Sequence, residues 1–281
     1  MASFTRDLKN FLERSERFAL VKVADTKGST PREKGAFMLV SPSTSHGTIG
    51  GGQLEYMAID EARQLLARGK AATMLDVPLG PEIGQCCGGR VVVEICAGDD
   101  ALAKDLISKA RQQEAELPHL YIFGGGHVGK AMAAASLLLP VHVVVVETRA
   151  HELEEIAPGI ATLLTPMPEE AVRAAPKGSA FAVLTHDHAL DFLIVAEALK
   201  RGDAAYVGMI GSKTKKATFR SWFLKSAGGT EKEFAQLVSP IGGALVHDKR
   251  PAVIAALAAA EIMTALALHE SAKTASPSGC L

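Results

Sequence analysis

Residues 4–14 read Phe4-Thr-Arg-Asp-Leu-Lys-Asn-Phe-Leu-Glu-Arg14. Apolar positions recur there at helical spacing among charged ones, which predicts an amphipathic helix and not the apolar stretch of a signal peptide. Phe18–Ala24 predicts a strand, Lys27–Arg32 a turn and Ala36–Val40 a second strand. The loop Gly47-Thr-Ile-Gly-Gly-Gly-Gln-Leu-Glu55 then opens into a helix of about 15 residues ending at Arg68. Strands are expected near Ala72–Val77 and Arg90–Cys96. Asp99–Leu117 is charged and helical in pattern, and is expected to link two domains.

From Leu120 the pattern changes. Short Val/Ile/Leu-rich runs at His119–Phe123, Val141–Val146, Ala161–Leu164, Ala180–Leu184 and Tyr206–Ile210 alternate with helical stretches, the first over His127–Leu138. Near-continuous apolar strands separated by helices predict a parallel sheet buried on both faces. Right-handed crossovers then give a doubly wound fold. Thr230 with Glu233 predicts a capping box, and a last helix starts near Asp248, has Pro251 in its first turn and ends near Leu268. The expected fold is α/β: a small mixed domain over 1–98, a helical linker over 99–117, a Rossmann-like domain over 118–268 and a disordered tail over 269–281.

Composition narrows the function classes. The chain has 281 residues, enough for two domains, and 30 basic against 31 acidic residues leave a net charge of −1. That balance argues against a nucleic-acid or polybasic membrane surface. Four cysteines do not make a disulfide framework. The apolar run 131–146 is broken by Pro140 and His142, and the run 252–268 carries Glu261. Neither reaches the roughly 18 uncharged residues of a spanning helix, so the expected compartment is the cytoplasm.

Four stretches carry chemistry. Gly124-Gly-Gly-His-Val-Gly129 follows a strand, opens a helix and precedes a strand ending at Glu147. In that context Gly124 permits a tight turn, Gly126 lets amides approach a phosphate and Gly129 allows close helix–strand packing. Glu147 is then placed to face a sugar hydroxyl or to cap its strand, and Arg149 to pair with a phosphate or with Glu147. Gly84-Gln-Cys-Cys-Gly-Gly89 sets Cys86 and Cys87 on a glycine-flanked loop. Adjacent thiols lack zinc-knuckle spacing, while soft thiolates suit soft metals or sulfur transfer; two buried small hydrophobes is the plainer alternative. Thr185-His-Asp-His-Ala-Leu-Asp191 leaves the fourth strand of the Rossmann-like region, so His186, Asp187 and His188 lie where ligands sit in such sheets. With Asp191 they also have a possible metal spacing, or form a loop in which Asp187 caps the next helix. Gly211-Ser-Lys-Thr-Lys-Lys216 brings Ser212 and Lys213 to another strand–helix junction, where an anionic partner or a solvated helix face explains the cations. Gly50, Gly51 and Gly52 form a further amide-rich turn.

Together these motifs resemble the xanthine dehydrogenase accessory proteins of the XdhC/CoxI type. The matching pieces, in order, are G-S-T-P-R (28–32), G-T-I-G-G-G-Q-L-E (47–55), G-Q-C-C-G-G (84–89), F-G-G-G-H-V-G (123–129), T-H-D-H-x-L-D (185–191), Y-V-G-M-I-G-S-K (206–213) and S-P-I-G (239–242). The resemblance implies a small family-specific N-terminal domain joined to a Rossmann domain. It implies a chaperone without turnover of its own that binds molybdenum cofactor (molybdopterin) as cargo and protects it. The protein would support sulfuration of the cargo with a cysteine desulfurase and insert it into a xanthine dehydrogenase-type apoenzyme. Cys86 or Cys87 would approach the molybdenum end. Arg32, Gly50–Gly52, Gln85, Gly124, Gly126, His127, Gly129, Glu147, Arg149, His186–His188, Gly211, Ser212 and Lys213 would hold the rest. Gly125 stands where the family commonly has alanine, Glu147 where many members have aspartate and Leu257 near a usual serine. A homodimer is expected, from the Ala-rich helix 252–268.

Two rival readings use the same residues. A NAD(P)-dependent oxidoreductase explains Gly124–Gly129 and Glu147 but leaves Cys86 and Cys87 idle. A metal-dependent hydrolase centres on His186, His188 and Asp191.

Overall fold

A computed structural model describes residues 4–80, 88–243, 246 and 248–275, with the side chains of 274 and 275 left aside. The chain divides into two compact units, Ser3–Ala115 and Glu116–Leu281.

The first unit contains α1 (Phe4–Arg14), β1 (Ala19–Lys27), β2 (Phe37–Val40), β3 (Ser45–Gly47), α2 (Gly52–Arg68), β4 (Ala72–Pro78), β5 (Arg90–Ala97) and α3 (Asp100–Ala115). Its sheet has the order β3-β2-β1-β5-β4, with every pairing antiparallel. Alternation along β1 and β5 sends Val21, Val23, Val91, Val93 and Ile95 to one face, where they meet Leu54, Ala58, Ala62 and Leu65 of α2. On the other side Leu8 of α1 packs with Phe18, Leu39 and with Leu106 and Ala110 of α3. The segment expected to be a linker is therefore a structural helix of this unit, because two of its apolar positions are buried. The three-residue β3 has no apolar alternation and was not expected.

The second unit contains β6 (His119–Phe123), α4 (His127–Ser136), β7 (His142–Glu147), α5 (Ala150–Leu153), β8 (Ala161–Leu164), α6 (Pro168–Ala174), β9 (Ala180–Val183), α7 (His188–Arg201), β10 (Tyr206–Met209), α8 (Lys213–Lys225), α9 (Glu231–Phe234), β11 (Leu237–Val238) and α10 (Pro251–Ala275). The sheet order is β11-β10-β9-β6-β7-β8, all parallel. In chain order this is 6-5-4-1-2-3, the doubly wound nucleotide-binding arrangement, with its reversal between β6 and β9. Two buried clusters cover its faces. One contains Phe123, Phe181, Phe219 and Phe223, and the other Leu120, Ile122, Ala182, Ala258 and Ile262.

The last helix is longer than expected, and residues 269–275, expected in the disordered tail, are helical. Pro251–Lys273 is long and apolar enough by length and composition to cross a membrane. Its apolar character has a local use: Ala255, Ala258, Ala259, Ile262 and Leu266 are buried, and Glu261 accepts the Tyr206 hydroxyl at 2.7 Å. The Tyr206 ring runs over Gly208, where a Cβ would overlap it. Burial, then the carboxylate beside it, pushes the Tyr206 hydroxyl above its ordinary range, so it stays a donor.

Candidate functional site

Because all six strands of the second unit are parallel, the loops after β6, β7, β9 and β10 leave the same sheet edge. These loops hold Gly124–Gly126, Glu147–Arg149, Thr185–Asp187 and Gly211–Ser212. The first and third flank the reversal between β6 and β9, where open α/β sheets form a crevice.

The glycine loop is built by close approach. Gly124 has φ +111°, and a Cβ on it would lie 2.6 Å from the Leu184 carbonyl oxygen. A Cβ on Gly129 would overlap the Gly124 carbonyl oxygen. Gly126 differs: it is the N-cap of α4, receives no side-chain cap, and has open space where a Cβ would stand. The N-terminus of α4 thus carries no N-cap side chain and, by the helix dipole, a partial positive charge, with His127 exposed beside it.

Glu147 ends β7 with its side chain only 3% exposed. Its Oε2 accepts the Gly125 amide at 2.8 Å, and its Oε1 accepts the Thr148 and Arg149 amides at 2.8 and 3.1 Å. Arg149 adds Nε and Nη2 at 3.2 and 3.1 Å. Burial opposes the charge, but the guanidinium and these amides outweigh it and hold the carboxyl down at about 2. Of the two sequence readings, Glu147 has the geometry of a strand-end cap, and Arg149 pairs with Glu147.

At the β9 exit, Asp187 caps α7 by accepting the Ala189 amide at 2.7 Å, and the capping amides hold its carboxyl below the ordinary value. His186 and His188 are exposed. Asp191 is fully buried; it accepts the Thr185 amide and hydroxyl at 3.1 and 2.6 Å and pairs with Lys215 of α8. Lys215 reaches it by folding back over Gly211, where a Cβ would overlap the lysine stem. The motifs 185–191 and 211–216 are therefore one unit, joined by a buried ion pair. This excludes the hydrolase site read from His186, His188 and Asp191, since the carboxylate faces inward to a lysine while both imidazoles face solvent. Among the described residues no group of three or more His, Cys, Asp or Glu could hold a metal. Ser212 caps α8 by accepting the Lys215 amide at 3.3 Å, and Lys213 is exposed. Lys215 escaped the sequence reading because its partner Asp191 lies 24 positions away in another motif. Its one signal is the four-residue spacing from Gly211.

In the first unit, Glu55 Oε2 accepts the Gly51 and Ile49 amides at 2.9 and 3.3 Å and the Thr48 hydroxyl at 2.7 Å. Thr48 in turn accepts the Gly50 amide at 3.1 Å. The amide-rich turn read over Gly50–Gly52 is thus largely satisfied by the chain's own side chains. A Cβ on Gly50 would lie 2.5 Å from Pro31, so this loop packs on the turn that carries the exposed Arg32. Gln85, Cys86 and Cys87 lie outside the described residues. The loop re-enters at Gly88 and Gly89, and Gly89 lies so close to the Lys27–Ser29 backbone that only glycine fits.

The family model for the XdhC Rossmann domain matches residues 120–262, and that for the XdhC and CoxI family matches residues 11–77. The Escherichia coli K12 protein YqeB is 27% identical over 235 residues, which cover 80% of this chain and 39% of YqeB. The chain thus spans about two fifths of that relative's length. A crystal structure described as a xanthine dehydrogenase from Bacillus halodurans matches with a TM-score of 0.79 at 17% identity, covering 98% of both chains. At that identity the likeness is one of fold.

Proposed function

The chain belongs to the XdhC and CoxI family, and from that membership we propose that it is an accessory protein for maturation of xanthine dehydrogenase-type enzymes, with molybdenum cofactor as its cargo. The observation that carries the reading is the uncapped N-terminus of α4 at the sheet reversal, with open space at Gly126. A pyranopterin ends in a phosphate, and free helix amides with the helix dipole suit that group. The exposed His186, His188 and Lys213 leave the same sheet edge and supply donors for a polar ring. The family resemblance makes Cys86 and Cys87, in the first unit, the candidate thiols for molybdenum. In this reading the protein has no turnover of its own. It works in the cytoplasm as a homodimer, receives sulfur for its cargo from a cysteine desulfurase, and delivers to a xanthine dehydrogenase-type apoenzyme.

The test is cargo retention. The full chain, purified from a cofactor-producing host, is expected to carry pterin, read as fluorescence after oxidative release. Cys86→Ser or Cys87→Ser is expected to lose it with an unchanged thermal transition. Wild-type protein without pterin would sink the cargo reading, and full retention in both variants would remove the thiols from it.

A further inference from the structure

We propose that Glu147 is a specificity-determining residue: it closes the sugar position beside the glycine loop and restricts the crevice to cargo ending in a single phosphate, rejecting dinucleotides. The inference deepens the cargo reading above and rests on it.

In a Rossmann crevice the acid ending the second strand binds a ribose hydroxyl, which requires a free lone pair. A carboxylate has about four acceptor sites. Glu147 meets six donors: the Gly125, Thr148 and Arg149 amides, the Thr148 hydroxyl at 3.2 Å, and Nε and Nη2 of Arg149. No acceptor capacity remains, and the side chain is withdrawn from solvent. An arginine at this strand end can instead take a 2′-phosphate. Arg149 is committed to Glu147, with a further ion pair to Glu152 at 3.4 Å. Lys130, in the first turn of α4, is held by Glu152 and Glu155 at 3.1 and 2.8 Å. Three carboxylates against two cations leave this rim net negative, which disfavours the second phosphate of a dinucleotide. None of these groups caps Gly126, so a single terminal phosphate keeps its place.

Calorimetric titration of the full-length protein with NADH and NADPH tests this. Wild type is expected to show no saturable binding of either below about 1 mM. Glu147→Ala releases Arg149 and is expected to gain about tenfold or more in NADPH affinity, a gain that Glu147→Ala with Arg149→Ala abolishes. Saturable NADH binding by wild type, weakened in Glu147→Ala, would make Glu147 a ribose ligand and overturn the proposal. So would a folded Glu147→Ala that gains nothing. If that variant lacks a native circular dichroism spectrum, Glu147→Gln, which keeps an acceptor for Gly125 but loses the charge facing Arg149, is read by the same criteria. Pterin retention by wild type, measured in parallel, separates the two levels. Its absence with nucleotide still excluded removes the cargo reading alone, whereas nucleotide binding removes the specificity role alone.

Discussion

Glu147 and Asp191 are both acidic residues in motifs that look ligand-facing, and both are turned inward. A carboxyl held at about 2 in the folded chain, against the ordinary 4.5, stabilises the fold above pH 4.5, and that contribution disappears as pH falls toward 2. The shift corresponds to about 3 kcal/mol. Denaturant unfolding of Glu147→Gln is expected to show a flatter pH dependence than wild type between about pH 5 and about pH 2. Asp191 makes a different prediction, because it is fully buried against Lys215. Lys215→Met leaves its charge unpaired and is expected to cost about 3–5 kcal/mol, while Asp191→Leu with Lys215→Met together is expected to cost much less. Urea midpoints of the single and double variants check this. The residue types were legible in the sequence. Their direction was not, since it depends on a lysine 24 positions away and on amides of another loop.

Element by element, the long strands and helices followed from apolar spacing, whereas the short ones did not. β3 and the two-residue β11 have too few positions to show a period, and they exist because a neighbouring strand supplies hydrogen bonds. At the start of β6 and β7, His119 and His142 lie side by side in register, with ring centroids 4.8 Å apart. Burial, then the neighbouring imidazole, lowers the His119 pKa below its usual 6.5. A histidine kept neutral in the fold contributes stability above its unfolded pKa and loses it as pH falls, so wild type is expected to weaken from pH 7 to about pH 5. His119→Gln is expected to show a smaller loss over that range in chemical denaturation. Between β10 and α10, Tyr206→Phe removes the hydroxyl that Glu261 accepts and is expected to lower stability by about 1–3 kcal/mol, read by thermal unfolding.

Among the described residues, the buried hydrophobic clusters each draw their residues from one of the two units. Residues 3–115 and 116–281, expressed separately, are each expected to give a cooperative unfolding transition by circular dichroism; a fragment 3–115 without one would show that its core depends on the rest of the chain. The sequence by itself determined the parallel-sheet fold, the glycine loop at Gly124–Gly129 and the family, because periodicity and glycine spacing are local properties of the chain. Only the tertiary structure decided that Asp100–Ala115 is a core helix of the first unit, that Asp191 and Lys215 bind two motifs into one, and that Glu147 is saturated by its own neighbours. Those outcomes depend on which side chains meet across strands and loops, and contact between residues distant in sequence is set by packing.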